Sequence, residues 1–145
     1  MCTDKKQVVI THSEEETEAE GFRLAQTLSA GDTVLLRGNL GAGKTVFSRG
    51  FARGLGITEP VSSPTYTIVQ EYELPQSGRL YHLDLYRISD VNAALAFGVD
   101  EFLDDPRGIA LVEWPDRISG ILPEQAVCIE IEHLSDTERR ITICR

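Results

Sequence analysis

The residues with the clearest chemical meaning form a glycine-rich octet that matches the pattern G-x-x-x-x-G-K-[ST]. It reads Gly38-Asn39-Leu40-Gly41-Ala42-Gly43-Lys44-Thr45. Glycine allows positive φ and close approach of the backbone to an anion, so successive N–H groups can form a nest around phosphate oxygens. The lysine adds a full positive charge, and the threonine hydroxyl can bind Mg²⁺. The octet therefore predicts a site for a nucleoside triphosphate and Mg²⁺, with contacts from Asn39, Leu40, Gly41, Ala42, Gly43, Lys44, Thr45 and Val46.

The segments on either side of the octet are those that such a loop requires. Residues 33–37 form a β-branched and apolar run that predicts a buried strand, and Phe47, Gly50, Phe51 and Gly54 follow at helical spacing. A helix that begins near Lys44 directs the positive end of its dipole at the anion. The alternative is a glycine turn that caps an ordinary helix, but such a turn needs neither Lys44 nor Thr45.

Two carboxylates occur where a phosphate loop needs metal support. Asp84 lies one residue before the end of a predicted strand at 79–85, and Glu113 ends a nearly continuous apolar run at 108–113. In nucleotidases with this loop, such an acid holds Mg²⁺ or positions the attacking water. We therefore expect catalytic roles for Lys44, Asp84 and Glu113, and metal contacts from Thr45, Glu113 and Asp84. The alternative for either acid is a strand-end carboxylate that faces solvent, and Trp114 fits a core aromatic as well as a platform for a base.

The remaining patterns predict further helices and strands. Ser13 and Glu16 predict a capped helix that extends to about Ser29, on which the acidic cluster at 14–20 is a solvated face. Other predicted elements are strands at 7–11 and 66–73, a helix at 89–97, a helical turn at 100–103 and a terminal hairpin with apolar positions from Val127 to Ile143.

Composition limits the function classes. The chain has 145 residues and a net charge of −9, so it predicts a single domain over 1–145 without a broad cationic face for nucleic acid. Neither a signal peptide nor a run of 18 apolar residues is present. We expect a cytoplasmic protein with no membrane association.

Five segments, in order and spacing, resemble the TsaE family, also called YjeE. They are residues 38–45, 63–67 (Ser-Pro-Thr-Tyr-Thr), 82–87 (His-Leu-Asp-Leu-Tyr-Arg), 98–102 (Gly-Val-Asp-Glu-Phe) and 112–115 (Val-Glu-Trp-Pro). The resemblance implies a small bacterial P-loop ATPase that binds ATP/ADP and Mg²⁺. Its implied task is threonylcarbamoyladenosine modification at position 37 of tRNAs that read codons beginning with A. The implied partners are TsaD and TsaB, with tRNA reached only indirectly through that complex.

The implied fold class is α/β: a P-loop NTPase-like three-layer fold, with a mainly parallel central sheet extended by antiparallel strands and hairpins. The resemblance also implies that Thr65 lies in a switch-like loop near the γ-phosphate and that Trp114 lies near the nucleotide. A turn stabilised by Pro64 is the alternative for Thr65, and a surface ion pair is the alternative to a phosphate or partner contact for Arg87.

One residue departs from the family pattern, which commonly has a second threonine where this chain has Val46. Only the backbone N–H of Val46 can reach an α-phosphate, so nucleotide affinity is expected to be lower. No internal arginine finger is evident, which predicts slow hydrolysis without partners. Adenine is implied by the resemblance, because phosphate loops scarcely contact the base.

Two competing functions share the loop. A small-molecule kinase needs an arginine-rich lid, whereas Arg49 and Arg53 are spaced to share one helix face. A nucleotide-dependent assembly switch needs binding but no essential turnover.

Overall fold

Aliphatic and β-branched residues build a central sheet, as expected from their preference for pleated, buried positions. The structure is a computed structural model, and it describes residues 5–39, 41–61 and 68–145. Its strands are β1 (Lys6–Thr11), β2 (Thr33–Arg37), β3 (Val69–Glu73), β4 (Arg79–Asp84), β5 (Gly108–Glu113), β6 (Val127–His133) and β7 (Arg139–Cys144). Its helices are α1 (Glu14–Ala25), α2 (Lys44–Gly54), α3 (Val91–Phe97) and α4 (Val99–Asp104), with a 3₁₀ segment at Pro115–Ile121.

The described residues form a seven-stranded sheet in the order β1-β7-β6-β2-β5-β4-β3. Strands β6, β2, β5 and β4 are mutually parallel, whereas β1, β7 and β3 pair antiparallel. This mixed α/β sheet, parallel at its centre, is the arrangement that the family resemblance implied. In the register, Glu113 lies opposite both Leu36 and Asp84. The two acids and the beginning of the phosphate loop therefore lie at one edge of the sheet.

Helices cover both faces of the sheet, and β2 shows how the sequence produces this. Val34 and Leu36 belong to a core cluster with Phe51 of α2, whereas Leu35 belongs to a second cluster with Leu103 of α4. The three β2 side chains are at most 1% exposed. Because successive side chains of a strand point to opposite faces, an uninterrupted apolar run is buried on both sides.

Helix α1 begins where the capping pattern predicts, although the cap differs in detail. The Glu16 amide donates to Ser13 Oγ at 3.1 Å, but the Glu16 carboxylate accepts from the amide of His12 rather than that of Ser13. The helix ends at Ala25 and not near Ser29. The Thr27 hydroxyl donates to the Leu24 carbonyl at 2.7 Å, and this local hydrogen bond replaces a continued helix.

The acidic cluster on α1 is only partly a solvated face. Glu14, Glu15 and Glu16 are exposed, as predicted. The prediction is wrong for Glu20, which is 9% exposed and pairs with Arg23. A carboxylate is buried in this way only when a cation or hydrogen-bond donor accompanies it.

Candidate nucleotide site

A cleft of about 710 Å³ lies at the carboxyl edge of the parallel strands. The predicted site residues that line it are Gly41, Gly43, Lys44, Thr45, Val46, Asp84, Glu113 and Trp114. Asn39 and Ala42 instead line a neighbouring cavity of about 460 Å³, which Trp114 also borders. Leu40 and Thr65 lie outside the described residues. The structure thus brings together one compact set of loop, strand-end and aromatic residues.

The loop backbone has the conformation that a phosphate nest requires. Gly41 and Gly43 have φ of 80° and 107°, which only glycine adopts readily. Gly43 is the N-cap residue of α2 and provides no side-chain cap. The unpaired amides of the first helical turn are therefore suited to an anion in the cleft.

Lys44 brings a nearly buried ammonium to this cleft, with the residue 6% exposed. Its Nζ lies 4.0 Å from Glu113 Oε1 and 4.3 Å from the centroid of the Trp114 ring. Burial lowers the pKa of Lys44, and the charges of Glu113 and Asp84 oppose that shift. Among the described residues, Glu113 is the only carboxylate within 4.0 Å of the ammonium, so a phosphate would supply much of its missing counter-charge.

Glu113 and Asp84 are not strand-end carboxylates in solvent, since they are only 5% and 9% exposed. Glu113 Oε2 lies 2.7 Å from His82 Nε2, so the imidazole and the Lys44 ammonium approach different oxygens of one carboxylate. Asp84 Oδ1 accepts a hydrogen bond from the Tyr86 amide at 3.0 Å. Both acids are held in fixed orientations toward the loop.

The donor set fits Mg²⁺ bound together with phosphate. The Thr45 hydroxyl and two carboxylates line the same cleft. No group of three His, Cys, Asp or Glu residues able to hold a metal occurs in residues 5–39, 41–61 and 68–145. Mg²⁺ commonly takes one or two carboxylates and completes its shell with water and substrate phosphates. These residues therefore suit a metal that arrives with a nucleotide.

Trp114 both packs on the core and lines the cleft, so the two sequence interpretations are not exclusive. Its ring lies 4.9 Å from that of Tyr86 and contributes to the core cluster beneath α4. Its backbone is left-handed, with φ 58° and ψ 51°, a conformation that is uncommon for a large side chain. This turn after β5 places the indole above the Lys44 ammonium.

Sequence reasoning missed Arg139 and His82. Arg139 lines the cleft and donates from Nε to the Ala42 carbonyl at 2.9 Å. His82 is 2% exposed and contacts Glu113, and its Nδ1 has no hydrogen-bond partner within the described part of the chain. Neither residue belongs to a local pattern that indicates its partner. His82 lies on β4 two residues before Asp84 and begins the segment 82–87 that resembles the family, and these are sequence signals that could have indicated it.

The cleft is not covered by the arginines that a kinase lid would need. Arg53 Nη1 lies 2.6 Å from Glu18, and Arg49 Nε lies 3.7 Å from the same carboxylate. They join α2 to α1, in agreement with their predicted position on one helix face. Arg87 is exposed and does not line the cleft.

Comparisons with known proteins agree with this geometry. The family model described as "Threonylcarbamoyl adenosine biosynthesis protein TsaE" matches residues 11–141. A Bacillus subtilis protein named "tRNA threonylcarbamoyladenosine biosynthesis protein TsaE" is 45% identical over 135 residues, which are 91% of this chain and 81% of that protein. The protein of the same name from Aquifex aeolicus is 40% identical over 139 residues, 94% of this chain and 95% of that protein.

A solved structure supports the same relationship. The crystal structure of Bacillus subtilis YdiB superposes with a TM-score of 0.81 at 38% identity, and the match covers 99% of this chain and 87% of that one. Sequence, sheet and site thus lead to one assignment: the chain belongs to the TsaE family.

Proposed function

We propose that this chain is a Mg²⁺-dependent ATPase required for threonylcarbamoyladenosine modification of tRNA position 37. The observation that carries the proposal is the buried Lys44 ammonium, which lies between a glycine nest and two buried carboxylates. The names of the family and of its relatives support the pathway. Partnership with TsaD and TsaB, contact with tRNA only through them and a cytoplasmic location remain parts of this proposal.

The fold proposed for this function is that of a P-loop NTPase, in one domain over residues 1–145. Support comes from the order β2, loop, α2, in which the loop leaves a central parallel strand and enters a helix. Helices on both faces leave the carboxyl edge of the sheet open, where ligands of open α/β sheets bind.

The loop residues bind and orient the triphosphate in this proposal. Amides at Gly41, Gly43 and Val46 face the phosphate oxygens, and the Lys44 ammonium pairs with the β- and γ-phosphates. Thr45 holds the metal through its hydroxyl. Asn39, Leu40 and Ala42 shape the loop, Thr65 senses the γ-phosphate, and Trp114 borders the nucleotide.

The carboxylates act on the side of the γ-phosphate. Glu113 orients the attacking water, because His82 holds one of its oxygens at 2.7 Å and leaves the other directed toward the cleft. Asp84, fixed by the Tyr86 amide, contributes with Glu113 to the metal shell. Mg²⁺, when bound, neutralises charge on the phosphates during transfer.

We expect turnover to be slow for the isolated chain. Arg139 is the only arginine among the described residues that line the cleft, and its guanidinium is engaged by backbone carbonyls. An arginine finger can raise the rate of phosphoryl transfer roughly 10³- to 10⁵-fold. A cation supplied by a partner protein would provide this acceleration, which the isolated chain lacks.

Calorimetry with ATP and Mg²⁺ tests the binding part of the proposal. Lys44→Ala should weaken binding at least about a hundredfold, because it removes charge-assisted hydrogen bonds to two phosphates. Lys6→Ala is the matched control, since it removes the same charge from the exposed start of β1. Equal affinity of the wild type and Lys44→Ala would refute the site.

A second variant separates turnover from a binding switch. Glu113→Gln should retain ATP binding and lose hydrolysis, measured as release of labelled inorganic phosphate with and without TsaD and TsaB. Normal tRNA modification by Glu113→Gln would show that turnover is dispensable. Label on a metabolite instead of inorganic phosphate would identify a kinase.

A further inference from the structure

Arg139 lies at the start of β7 and contacts the phosphate loop from a distant part of the sequence. Its Nε donates to the Ala42 carbonyl at 2.9 Å, 97 residues away along the chain. Its Nη1 donates to the carbonyls of Ser135 and Glu138 at 2.7 and 2.9 Å. One guanidinium thus joins the loop to the turn between β6 and β7.

The bond to Ala42 fixes the peptide between Ala42 and Gly43. No cis peptide occurs among the described residues, and in a trans peptide the C=O and the following N–H point in opposite directions. Because Arg139 holds the Ala42 oxygen on its own side, the Gly43 N–H must face away from the guanidinium. Gly43 also lines the cleft, so the orientation of this peptide matters for an anion bound there.

Gly43 is the position where free rotation of this peptide would be easiest. Its φ of 107° is in the left-handed region, and glycine restricts the chain less than any other residue. A Cβ at Gly43 would lie 3.4 Å from Arg139 Nε. The Arg139 side chain therefore packs directly against a glycine of the loop.

The guanidinium is itself held in place, which separates its role from that of Lys44. Its planar fork bonds three carbonyls from two segments, a geometry that an ammonium cannot reproduce. The turn is also internally ordered, since the Glu138 amide donates to Ser135 Oγ at 3.1 Å. Arg139 thus rests on an ordered support and acts on the loop backbone.

We infer that Arg139 is a positioning residue for the phosphate loop: it sets the Ala42–Gly43 peptide so that the Gly43 N–H faces the anion. The inference rests on the proposed nucleotide site and assigns this residue no contact with the nucleotide. The turn at Ser135–Glu138 contributes indirectly to phosphate binding, because its carbonyls hold the guanidinium in place.

Arg139→Ala and Arg139→Lys test the inference by calorimetry with Mg²⁺ and either ATP or inorganic tripolyphosphate. Both variants should bind each ligand roughly ten- to a hundredfold more weakly, as expected when one amide-to-phosphate bond is lost. Arg140→Ala is the matched control, because this neighbouring exposed arginine pairs with Glu132 at 3.2 Å. It should bind both ligands like the wild type.

The outcomes distinguish positioning from other roles. Full recovery of affinity in Arg139→Lys would show that charge alone matters and would overturn the inference. Loss of ATP affinity without loss of tripolyphosphate affinity would assign Arg139 to the nucleoside and would overturn it too. Lysine retains the aliphatic stem and charge, so this variant remains informative if Arg139→Ala does not fold.

A measurement without nucleotide separates this inference from the proposed function. The NMR amide signal of Gly43 should shift in both Arg139 variants but not in Arg140→Ala. An unchanged Gly43 amide would refute the positioning role even if ATP binds. Failure of the wild type to bind either ligand would refute the nucleotide site, while the Gly43 measurement would still report on the peptide.

Discussion

Burial of the Lys44 side chain makes its positive charge energetically costly while the cleft is empty. The Lys44 ammonium is nearly buried, and among the residues that the structure describes a carboxylate at 4.0 Å and an indole face at 4.3 Å lie near its charge. A buried charge without a close counter-ion is costly. An incoming phosphate relieves this cost, so the residue that destabilises the empty cleft also favours its occupation.

A partly buried polar pair outside the cleft, Tyr81 and Asp105, makes stability depend on pH. The Tyr81 hydroxyl donates to Asp105 Oδ2 at 2.6 Å. This hydrogen bond lowers the pKa of Asp105, while burial and the Asp105 interaction raise the pKa of Tyr81. The Asp105 contribution is therefore complete above the unfolded pKa of about 3.9 and disappears as the pH falls through the lower folded value.

Tyr81→Phe should reduce this dependence while retaining the ring contact with Phe102, because the Arg107 amide still donates to Asp105 Oδ1. Between about pH 5 and pH 2, where a carboxylate with a lowered pKa becomes protonated, the wild type should lose more unfolding free energy than the variant in urea titrations. Tyr72→Phe is the control, because the Tyr72 hydroxyl donates to the neutral side chain of Gln70. Parallel acid profiles of the wild type and Tyr81→Phe would contradict the expectation.

Whether a site residue could be predicted depended on how far apart in the sequence the contacting residues lie. Lys44 and Thr45 belong to a continuous octet whose chemistry can be read locally, Glu113 ends an apolar run, and Asp84 lies near the end of a predicted strand. Arg139 meets Ala42 across 97 residues. Only the order of strands brings these two together, and local patterns do not contain that order.

At the scale of elements, helices α1 and α2 pack backbone to backbone. A Cβ on Gly21 would overlap the Phe47 carbonyl oxygen, and a Cβ on Gly50 would overlap that of Glu18. The sequence indicated Gly50 as part of a helical face, and Gly21 lies within the predicted first helix. It could not show that the glycines of one helix face the backbone of the other, because this depends on how the helices cross.

Gly50→Ala should destabilise the protein by at least about 2 kcal/mol, because overpacking against backbone outweighs the gain in helix propensity of roughly 0.5–1 kcal/mol. Gly120→Ala is the matched control, since a Cβ there first meets Val91 Cγ2 at 3.9 Å. Its effect should stay within about 1 kcal/mol. Urea unfolding measures both, and similar values would contradict the close packing.

In the sheet, local sequence patterns predicted where a strand lies but not which strand it pairs with. Strand β5 matches its predicted range at Gly108–Glu113, since an apolar run buried on both faces has clear ends. The antiparallel pairing of β1 with β7 was not predicted. Strand partners depend on the topology of the whole sheet, whereas strand positions depend on local alternation.

At the scale of the whole molecule, acidic charge governs encounters with other molecules. The net charge is −9, from 14 Lys and Arg against 23 Asp and Glu. Several arginines are already paired with carboxylates, as in Arg37–Asp116 and Arg79–Glu71. Nucleic acid binding needs cations that neutralise phosphates, and this surface is poorly supplied with them. In the part of the chain that the structure describes, no helix is long and apolar enough to cross a membrane.

The isolated protein should therefore not bind tRNA directly. In a gel-shift experiment at about 0.15 M salt, we expect a Kd weaker than roughly 10⁻⁴ M, the weak end for non-specific binding. Addition of TsaD and TsaB is the informative comparison. Tight binding of tRNA by the chain alone would contradict the indirect route.

The strand order also has a consequence during synthesis on the ribosome. Strand β2 precedes the phosphate loop but pairs with β5 and β6, and the loop is joined to Arg139 at the start of β7. A nascent polypeptide therefore contains the glycine octet long before β5, β6 and Arg139, which surround it in the folded protein, have been synthesised. We expect a nascent chain to reach full nucleotide affinity only after Arg139 has been translated and has left the ribosome. Nucleotide binding would then report that the sheet around the loop has formed.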